Sequence, residues 1–257
     1  MQEITSKDNR IYKDATKLLK KKYRDELGLY LIEGINLVEE AFKCNQEIRT
    51  IFYKDGYDGP RFSVKNAFIL STKLFDELSQ TEASQGVIAV VEKNVVDLNM
   101  FMNLKGANFL VLDRVQDPGN VGTIIRTADA AGYSLILLIK GTCDIYQPKV
   151  VRAATGSLFR IPVAYIEDND ALVSFAEKAK KKLVASALTA SEYYYDVDLS
   201  EDIALILGNE GNGISEELIQ KSDIRIKIPM EGNIESLNCA ISAGILLYER
   251  IRKCKRD

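Results

Sequence analysis

Four short stretches hold side chains that could do chemistry together. Asp113-Arg114-Val115-Gln116-Asp117-Pro118-Gly119-Asn120 leads on to Arg126. Leu207-Gly208-Asn209-Glu210-Gly211-Asn212-Gly213 closes an apolar run. Ile228-Pro229-Met230 and Ser236-Leu237-Asn238 bracket a second loop of small and polar residues. Between them they offer two guanidiniums, three carboxylates, several amides and a hydroxyl. The sequence contains no histidine, which excludes His-based triads, His general bases and most zinc sites. Any reaction must therefore use Glu, Asp, Arg, Lys, Ser, Tyr or a bound cofactor. Glycines at 208, 211 and 213 let backbone N–H groups approach a ligand closely. The loop is no Walker loop, since no Lys-Ser or Lys-Thr follows, and no dinucleotide fingerprint at a first strand. Taken singly, each feature has an ordinary reading: a chain connection, a helix cap at Asn120, a surface or ion-paired Arg126. Taken together they suggest a ligand site at the C-terminal edge of a parallel sheet, where open α/β folds hold ligands.

The elements that would position these residues are legible as apolar runs. Phe109–Leu112, Leu135–Ile139, Leu183–Ala187, Ile203–Leu207 and Ile224–Ile228 read as strands, and Val121–Ala131, Ala171–Lys181 and Leu237–Arg252 as helices. Lys149–Ala154 reads as a further helix, and Ser215 as the cap of a helix beginning Glu216-Glu217. Apolar strands alternating with amphipathic helices imply an α/β fold with a mainly parallel sheet covered on both faces. Residues 1 to about 95 form a smaller α/β series: strands at 30–32, 48–53, 67–70 and 87–91, and helices at 34–44 and 72–78. Ser6 is expected to cap a first helix to about Tyr23, with Ile11, Ala15, Leu18 and Leu19 inward. The expected division is 1–95, a linker at 96–107, and 108–257.

The chain has 257 residues, 46% of them hydrophobic, and a net charge of −3. It is not a general polyanion binder, yet its charge is uneven. Lys7, Arg10, Lys13, Lys17, Lys20, Lys21, Lys22 and Arg24 crowd the first 24 residues, and Arg250, Arg252, Lys253, Lys255 and Arg256 the tail. Local basic patches bind phosphates even when the whole is acidic, and a solvated helix face has the same composition. Four scattered cysteines, no signal-peptide pattern and no membrane-length apolar run are consistent with a reducing cytoplasm.

Asn120-x5-Arg126, then Leu207-Gly208-Asn209-Glu210-Gly211, then Ile228-Pro229-Met230 with Ser236-Leu237-Asn238 resemble the three ordered motifs of the SpoU/TrmH branch of the SPOUT superfamily. Lys149–Ser157 resembles a fourth segment. Ile32-Glu33-Gly34 with Glu39-Glu40-Ala41, and Gln85-Gly86-Val87, resemble the substrate-binding domain that precedes it in many members. The resemblance implies an RNA ribose 2′-O-methyltransferase using S-adenosylmethionine. It implies a C-terminal domain with a deep trefoil knot, against the general rule for chain topology, and a homodimer built through that domain, with Leu237–Arg252, apolar at Ala240, Ile241, Ile245 and Leu247, supplying much of the contact. It places the cofactor around Leu188, Leu207, Gly208, Asn209, Gly211, Ile228, Met230, Ser236 and Leu237, with no metal and no membrane.

By the same resemblance Arg126 is central to the reaction. A guanidinium is a poor base that normally stays protonated, so it is expected to bind the adjacent phosphate and ease formation of the alkoxide. Asn120 would fix Arg126 or the ribose. Glu210 would orient the site as an acceptor or, as a second option, accept the proton. Ser236 and Asn238 would position cofactor and substrate. Lys17, Lys20, Lys21, Lys22, Arg24, Arg114 and Arg152 are the expected RNA contacts. Ribosomal RNA is the expected substrate. A transfer-RNA enzyme and a non-catalytic RNA-binding assembly factor are the alternatives.

Overall fold

The computed structural model describes residues 1–254, so Lys255 and Arg256 of the basic tail lie outside the described residues. In chain order the first elements are β1 (Gln2–Ile4), α1 (Arg10–Lys17), α2 (Lys21–Leu27), β2 (Leu29–Glu33), α3 (Ile35–Lys43), β3 (Ile48–Lys54), β4 (Ala67–Leu70), α4 (Thr72–Leu78) and β5 (Val87–Glu92). There follow β6 (Phe109–Asp113), α5 (Pro118–Ala130), β7 (Leu135–Ile139), α6 (Pro148–Ala154), β8 (Val163–Ile166), α7 (Asn169–Lys178), β9 (Lys182–Ser186), β10 (Glu192–Tyr193), β11 (Ile203–Gly208), α8 (Glu216–Lys221), β12 (Ile224–Lys227) and α9 (Cys239–Cys254). The chain forms two compact units. One is Met1–Asn94 with Asp144–Phe159; the other is Val95–Cys143 with the chain from Arg160 onward.

The first unit is built on a five-stranded sheet in the order β1-β4-β3-β5-β2. β1, β4 and β3 are parallel, and β5 runs antiparallel to both β3 and β2. Its core gathers Ile4, Tyr12, Leu18, Phe52, Leu70, Phe75 and Ile88. The first helix differs from expectation. Asn9 caps it, its Oδ1 accepting from the N–H of Ile11 at 2.9 Å and of Tyr12 at 3.4 Å. Ser6 instead forms a turn, its hydroxyl accepting from Asp8 N–H at 3.1 Å and its carbonyl from Asn9 N–H at 3.2 Å. Tyr12 rather than Ile11 therefore faces the core. The helix also ends early: Lys20 is extended, and α2 begins after it, closing on left-handed Gly28. That second helix turns Arg24 inward.

Residues 144–159 belong with this unit, although the sequence pattern joins them to the C-terminal series. Val150, Val151 and Ala154 are buried, and α6 lies against β2. Tyr146 packs on Tyr30 with ring centres 4.7 Å apart. The expected linker at 96–107 is likewise not a free connection. Phe101 and Ala107 are buried in the second unit's core, with Val96, Leu98 and Met102 packed against it.

The second unit holds a seven-stranded sheet, order β10-β12-β9-β11-β6-β7-β8, parallel throughout. Every residue of β6 and β7 is buried, as a strand covered on both faces requires. Alternate side chains Phe109, Val111, Leu135, Leu137, Ala204 and Ile206 meet α7 and α8 through Leu172, Phe175 and Leu218. The pleat sends the intervening residues to the opposite face, where α5 packs on α9 and α9 on β11. At about 1.5–3 kcal/mol for each buried large aliphatic side chain, this core outweighs the surface ion pairs, worth about 0–1 kcal/mol each. With all strands parallel, the ends of β6, β9, β10, β11 and β12 share one edge of the sheet.

Candidate active site

Asp113, at the end of β6, begins the site. It pairs in register with Gly208 at the end of β11. Its buried carboxylate accepts from Ser215 N–H at 2.7 Å, and from Arg114 Nε at 2.7 Å and Nη2 at 3.0 Å. Arg114 is left-handed, with φ 58°. The turn aims its carbonyl at Asn209, whose Nδ2 donates to it at 2.9 Å. The two loops that leave neighbouring strands are thus bonded to each other. The 209–213 loop closes on itself: Asn209 N–H donates to Gly213 O at 3.0 Å and Gly213 N–H to Asn209 O at 2.9 Å. Gly208 is required by this packing. A Cβ there would stand 2.2 Å from Gly213 C and Ile214 N. Gly211 has no such crowding, so the glycines serve different ends.

The next turn begins α5. Asp117, not Asn120, is the cap: its Oδ1 accepts from Asn120 N–H at 2.8 Å, with Pro118 in the first turn. Asp-Pro is itself a helix-start signal, and here it sets the cap. Relieved of capping, the Asn120 side chain enters a hydrogen-bond chain. Glu210 accepts from the N–H groups of Gln116 and Asp117, each at 3.3 Å, and from Asn120 Nδ2 at 3.1 Å. Asn120 Oδ1 accepts from Asn238 Nδ2 at 3.1 Å. Asn238 Oδ1 caps α9 by accepting from Ala240 N–H at 2.9 Å and Ile241 N–H at 3.3 Å. The polarity of the chain is forced. An ionised carboxylate only accepts, so Asn120 must present its NH2 to Glu210 and its oxygen to Asn238.

Burial works to raise the Glu210 pKa, but the bonds from Asn120 and the backbone N–H groups outweigh it and hold the carboxyl below its ordinary value. Cys239, which follows Asn238, donates to Gly208 O at 3.5 Å. Burial first, and the Glu210 charge second, push its thiol up to about 12. Asp113, Asp117 and Cys239 are not among the residues expected to act in the site; a charge ending an apolar run and the Asp-Pro pair are the signals for the first two.

The other expected residues are placed as follows. Leu207 is buried, Gly208, Asn209, Ile228, Met230 and Leu237 are half-buried, and Gly211, Leu188 and Ser236 are exposed. Arg126 is exposed on α5, and its side chain makes no hydrogen bond or ion pair with any described residue. Six positions at about 100° each turn it about 120° around the helix from Asn120. Of the expected RNA contacts, Arg24 is withdrawn from the surface. It is 4% exposed and donates to Asp144 Oδ2 at 2.6 and 3.1 Å and to Leu18 O at 2.7 Å. Arg114 is clamped by Asp113. Lys17, Lys20, Lys21 and Lys22 are exposed, with Lys17 and Lys21 paired to Asp14 and Asp25. Arg152 is half-buried, and its Nη1 has no hydrogen-bond partner among the described residues.

Residues 107–248, more than half of the chain, match the SpoU rRNA Methylase family. The chain belongs to this family. Residues 9–89 match the MRM3-like substrate binding domain. A curated SpoU-family relative, the 23S rRNA (guanosine(2553)-2′-O)-methyltransferase RlmP of Bacillus subtilis, is 38% identical over 96% of this chain and 98% of its own. The 23S rRNA (uridine(2479)-2′-O)-methyltransferase of Streptomyces viridochromogenes is 30% identical over 97% and 92%. The crystal structure of an AdoMet-bound rRNA methyltransferase from Sinorhizobium meliloti superposes with a TM-score of 0.87 at 34% identity, covering 98% of each chain. The similarity spans both units, so the SpoU fold and the preceding smaller domain are shared as a whole.

Proposed function

We propose that the protein transfers a methyl group from S-adenosylmethionine to a ribose 2′-hydroxyl of ribosomal RNA. The observation that carries this reading is the chain Asn238–Asn120–Glu210, which joins three stretches spread over more than a hundred positions at one sheet edge. The full-length similarity to two enzymes named for 23S rRNA supports the substrate class.

The residues fit the cofactor. The loop 229–237 has no hydrogen bond among the described residues, so its backbone donors and acceptors are open to a ligand. Half-buried Ile228, Met230 and Leu237 offer apolar contact, and the Glu210 carboxylate suits a cationic ligand. Leu188, Leu207, Gly208, Asn209, Gly211 and Ser236 complete the proposed binding set. When bound, S-adenosylmethionine supplies an electrophilic methyl group on a sulfonium. The protein's part is then orientation, which contributes on the order of several kcal/mol, and electrostatic support of the attacking oxygen. Arg126 holds the phosphate beside the reacting ribose and stabilises the alkoxide. Glu210, with three donors on its carboxylate, is a weak base and serves to position, so the 2′-hydroxyl proton passes to solvent water as the O–CH3 bond forms and the methyl–sulfur bond breaks.

Arg126 reaches the site, in this reading, from a second copy of the chain. Its own site lies elsewhere around α5, and α9 beside it exposes Ile241 at 57% and Tyr248 at 48% on one face. Those residues, with Ala240 and Ile245, would form the homodimer contact; Leu247 is buried within the protomer and takes no part. We propose further that the second unit is knotted, with α9 as the threaded segment, that 1–95 with exposed Lys17, Lys20, Lys21 and Lys22 and with Arg152 grips RNA, and that the protein works in the cytoplasm. No described helix is long and apolar enough to cross a membrane. The test is mapping of 2′-O-methyl positions in ribosomal RNA incubated with the protein and labelled cofactor. One new methylated position is expected. Efficient cofactor binding with no methylated ribose anywhere in that RNA would overturn the reading in favour of a binding protein.

A further inference from the structure

Beside the site lies a cluster of rings that the proposed reaction does not use. Tyr193 closes β10, the edge strand of the seven-stranded sheet, in register with Lys227 at the end of β12. Tyr194 N–H continues the pairing by donating to Lys227 O at 3.1 Å. Tyr193 and Tyr195 stack with ring centres 5.4 Å apart and planes 17° from parallel. Tyr194 meets Tyr195 edge-on, at 5.1 Å and 70°. The Lys227 ammonium lies 5.2 Å from the Tyr193 ring centre. Tyr193 and Tyr195 are 38% and 41% exposed.

The placement matters as much as the rings. Tyr193 ends at the sheet edge that carries the site, and Lys227 leads straight into the loop 228–238. Three strand spacings separate β10 from β11, about 15 Å, within reach of a nucleotide close to the target on the same strand.

We propose that Tyr193 and Tyr195 form a platform on which a nucleobase of the substrate RNA stacks, next to the nucleotide that is methylated. This rests on the methyltransferase reading above and adds to it a determinant of substrate binding. Single-stranded RNA is gripped by aromatic side chains on which unstacked bases lie, and every base has a π face to offer. Two rings already stacked on each other lose little rotamer freedom when a third joins them. The charge around the pair is mixed: Asp196 and Glu231, after burial, help to raise the Tyr195 hydroxyl pKa, while the Lys227 ammonium lies over the Tyr193 ring. An uncharged base tolerates that mixture, and the exposed π faces carry the contact.

The test compares full-length variants for binding of protein-free 23S ribosomal RNA at several salt concentrations. The pair Tyr193→Leu with Tyr195→Leu keeps apolar bulk and removes the rings. It is expected to weaken binding about five- to 150-fold. Its salt slope should match that of the unaltered protein, because no phosphate contact is lost. The pair Tyr193→Phe with Tyr195→Phe keeps both π faces and should bind as the unaltered protein does. Melting temperature and oligomeric state are measured alongside and should not move. Unchanged RNA affinity in the leucine pair overturns the proposal. So does a loss that comes with dissociation into monomers, which would assign the rings to a contact between copies. Because binding needs no turnover, ring-dependent affinity in a protein that transfers no methyl group would sink the reaction and leave the platform standing.

Discussion

Glu210 is the residue on which the two options for the reaction part company. A general base works best with a pKa near the operating pH. Glu210 moves the other way, because Asn120 and two backbone N–H groups stabilise its charged form. The sign follows from linkage. A carboxylate depressed in the folded state contributes stability that is fully present above its unfolded value of about 4.3 and is lost as pH falls through the lower folded value. Nothing that Glu210 does should therefore change between pH 6 and 9. Glu210→Gln is expected to lower the methyl-transfer rate by one factor throughout that range, since Gln presents an N–H2 where a backbone N–H needs an acceptor. Parallel pH–rate profiles would agree with positioning. An acidic limb present in the unaltered enzyme and missing from the variant would make Glu210 the base. The sequence shows Glu210 as the carboxylate of a Gly-rich loop, but not its three donors. Two of those are main-chain groups whose direction depends on Asp117 capping α5, and a competing cap reading of Asn120 hid that.

At the scale of elements, strands were the easiest to read and caps the hardest. β6, β7 and β11 are uninterrupted apolar runs, and burial on both faces leaves such a run few other conformations. β1 and β10 have three and two residues, mostly exposed. Their pairing comes from the neighbouring strand, so no local pattern announces them. The turn after β11 is where element and site meet. Gly208 admits no side chain because backbone, not a movable side chain, occupies the Cβ position 2.2 Å away. Gly208→Ala must push the 209–213 loop off β11 and carry Asn209 and Glu210 with it. Overpacking of this kind costs about 1–3 kcal/mol, which should appear as a lower melting temperature. Cofactor binding by calorimetry should be lost with it. Gly211→Ala, which meets only Asn209 Oδ1 at 3.6 Å, is the control and should melt as the unaltered protein does. If both variants melt alike and bind alike, the close approach at Gly208 is not what shapes the loop.

At the scale of the whole molecule, the sequence suggested a linear division that the chain does not keep. Residues 144–159 leave the second unit, cover the first unit's sheet and return. No residue pattern marks that excursion, because α6 is amphipathic in either setting; only the location of its apolar partner decides. Deleting residues 1–94 should leave Val150, Val151 and Ala154 without the β2 sheet that buries them. Hydrogen exchange in 144–159 should become fast while β6, β7 and β11 stay protected. Continued protection of 144–159 in the fragment would show that the second unit holds it unaided. The pairing of copies makes a sharper demand. If Arg126 acts on the loop of a second copy, Arg126→Ala and Glu210→Ala damage different halves of each composite site. Random exchange between equal amounts of the two variants makes half of the dimers mixed, and each mixed dimer regains one intact site of two. Activity should return to about a quarter of the unaltered level in a symmetric dimer, from two preparations that are each at least about a hundredfold impaired. If Arg126 instead served the loop of its own chain, every site in the mixture would carry one defect and no activity would return. Recovery on mixing thus reads the geometry directly, without a structure of the assembled pair.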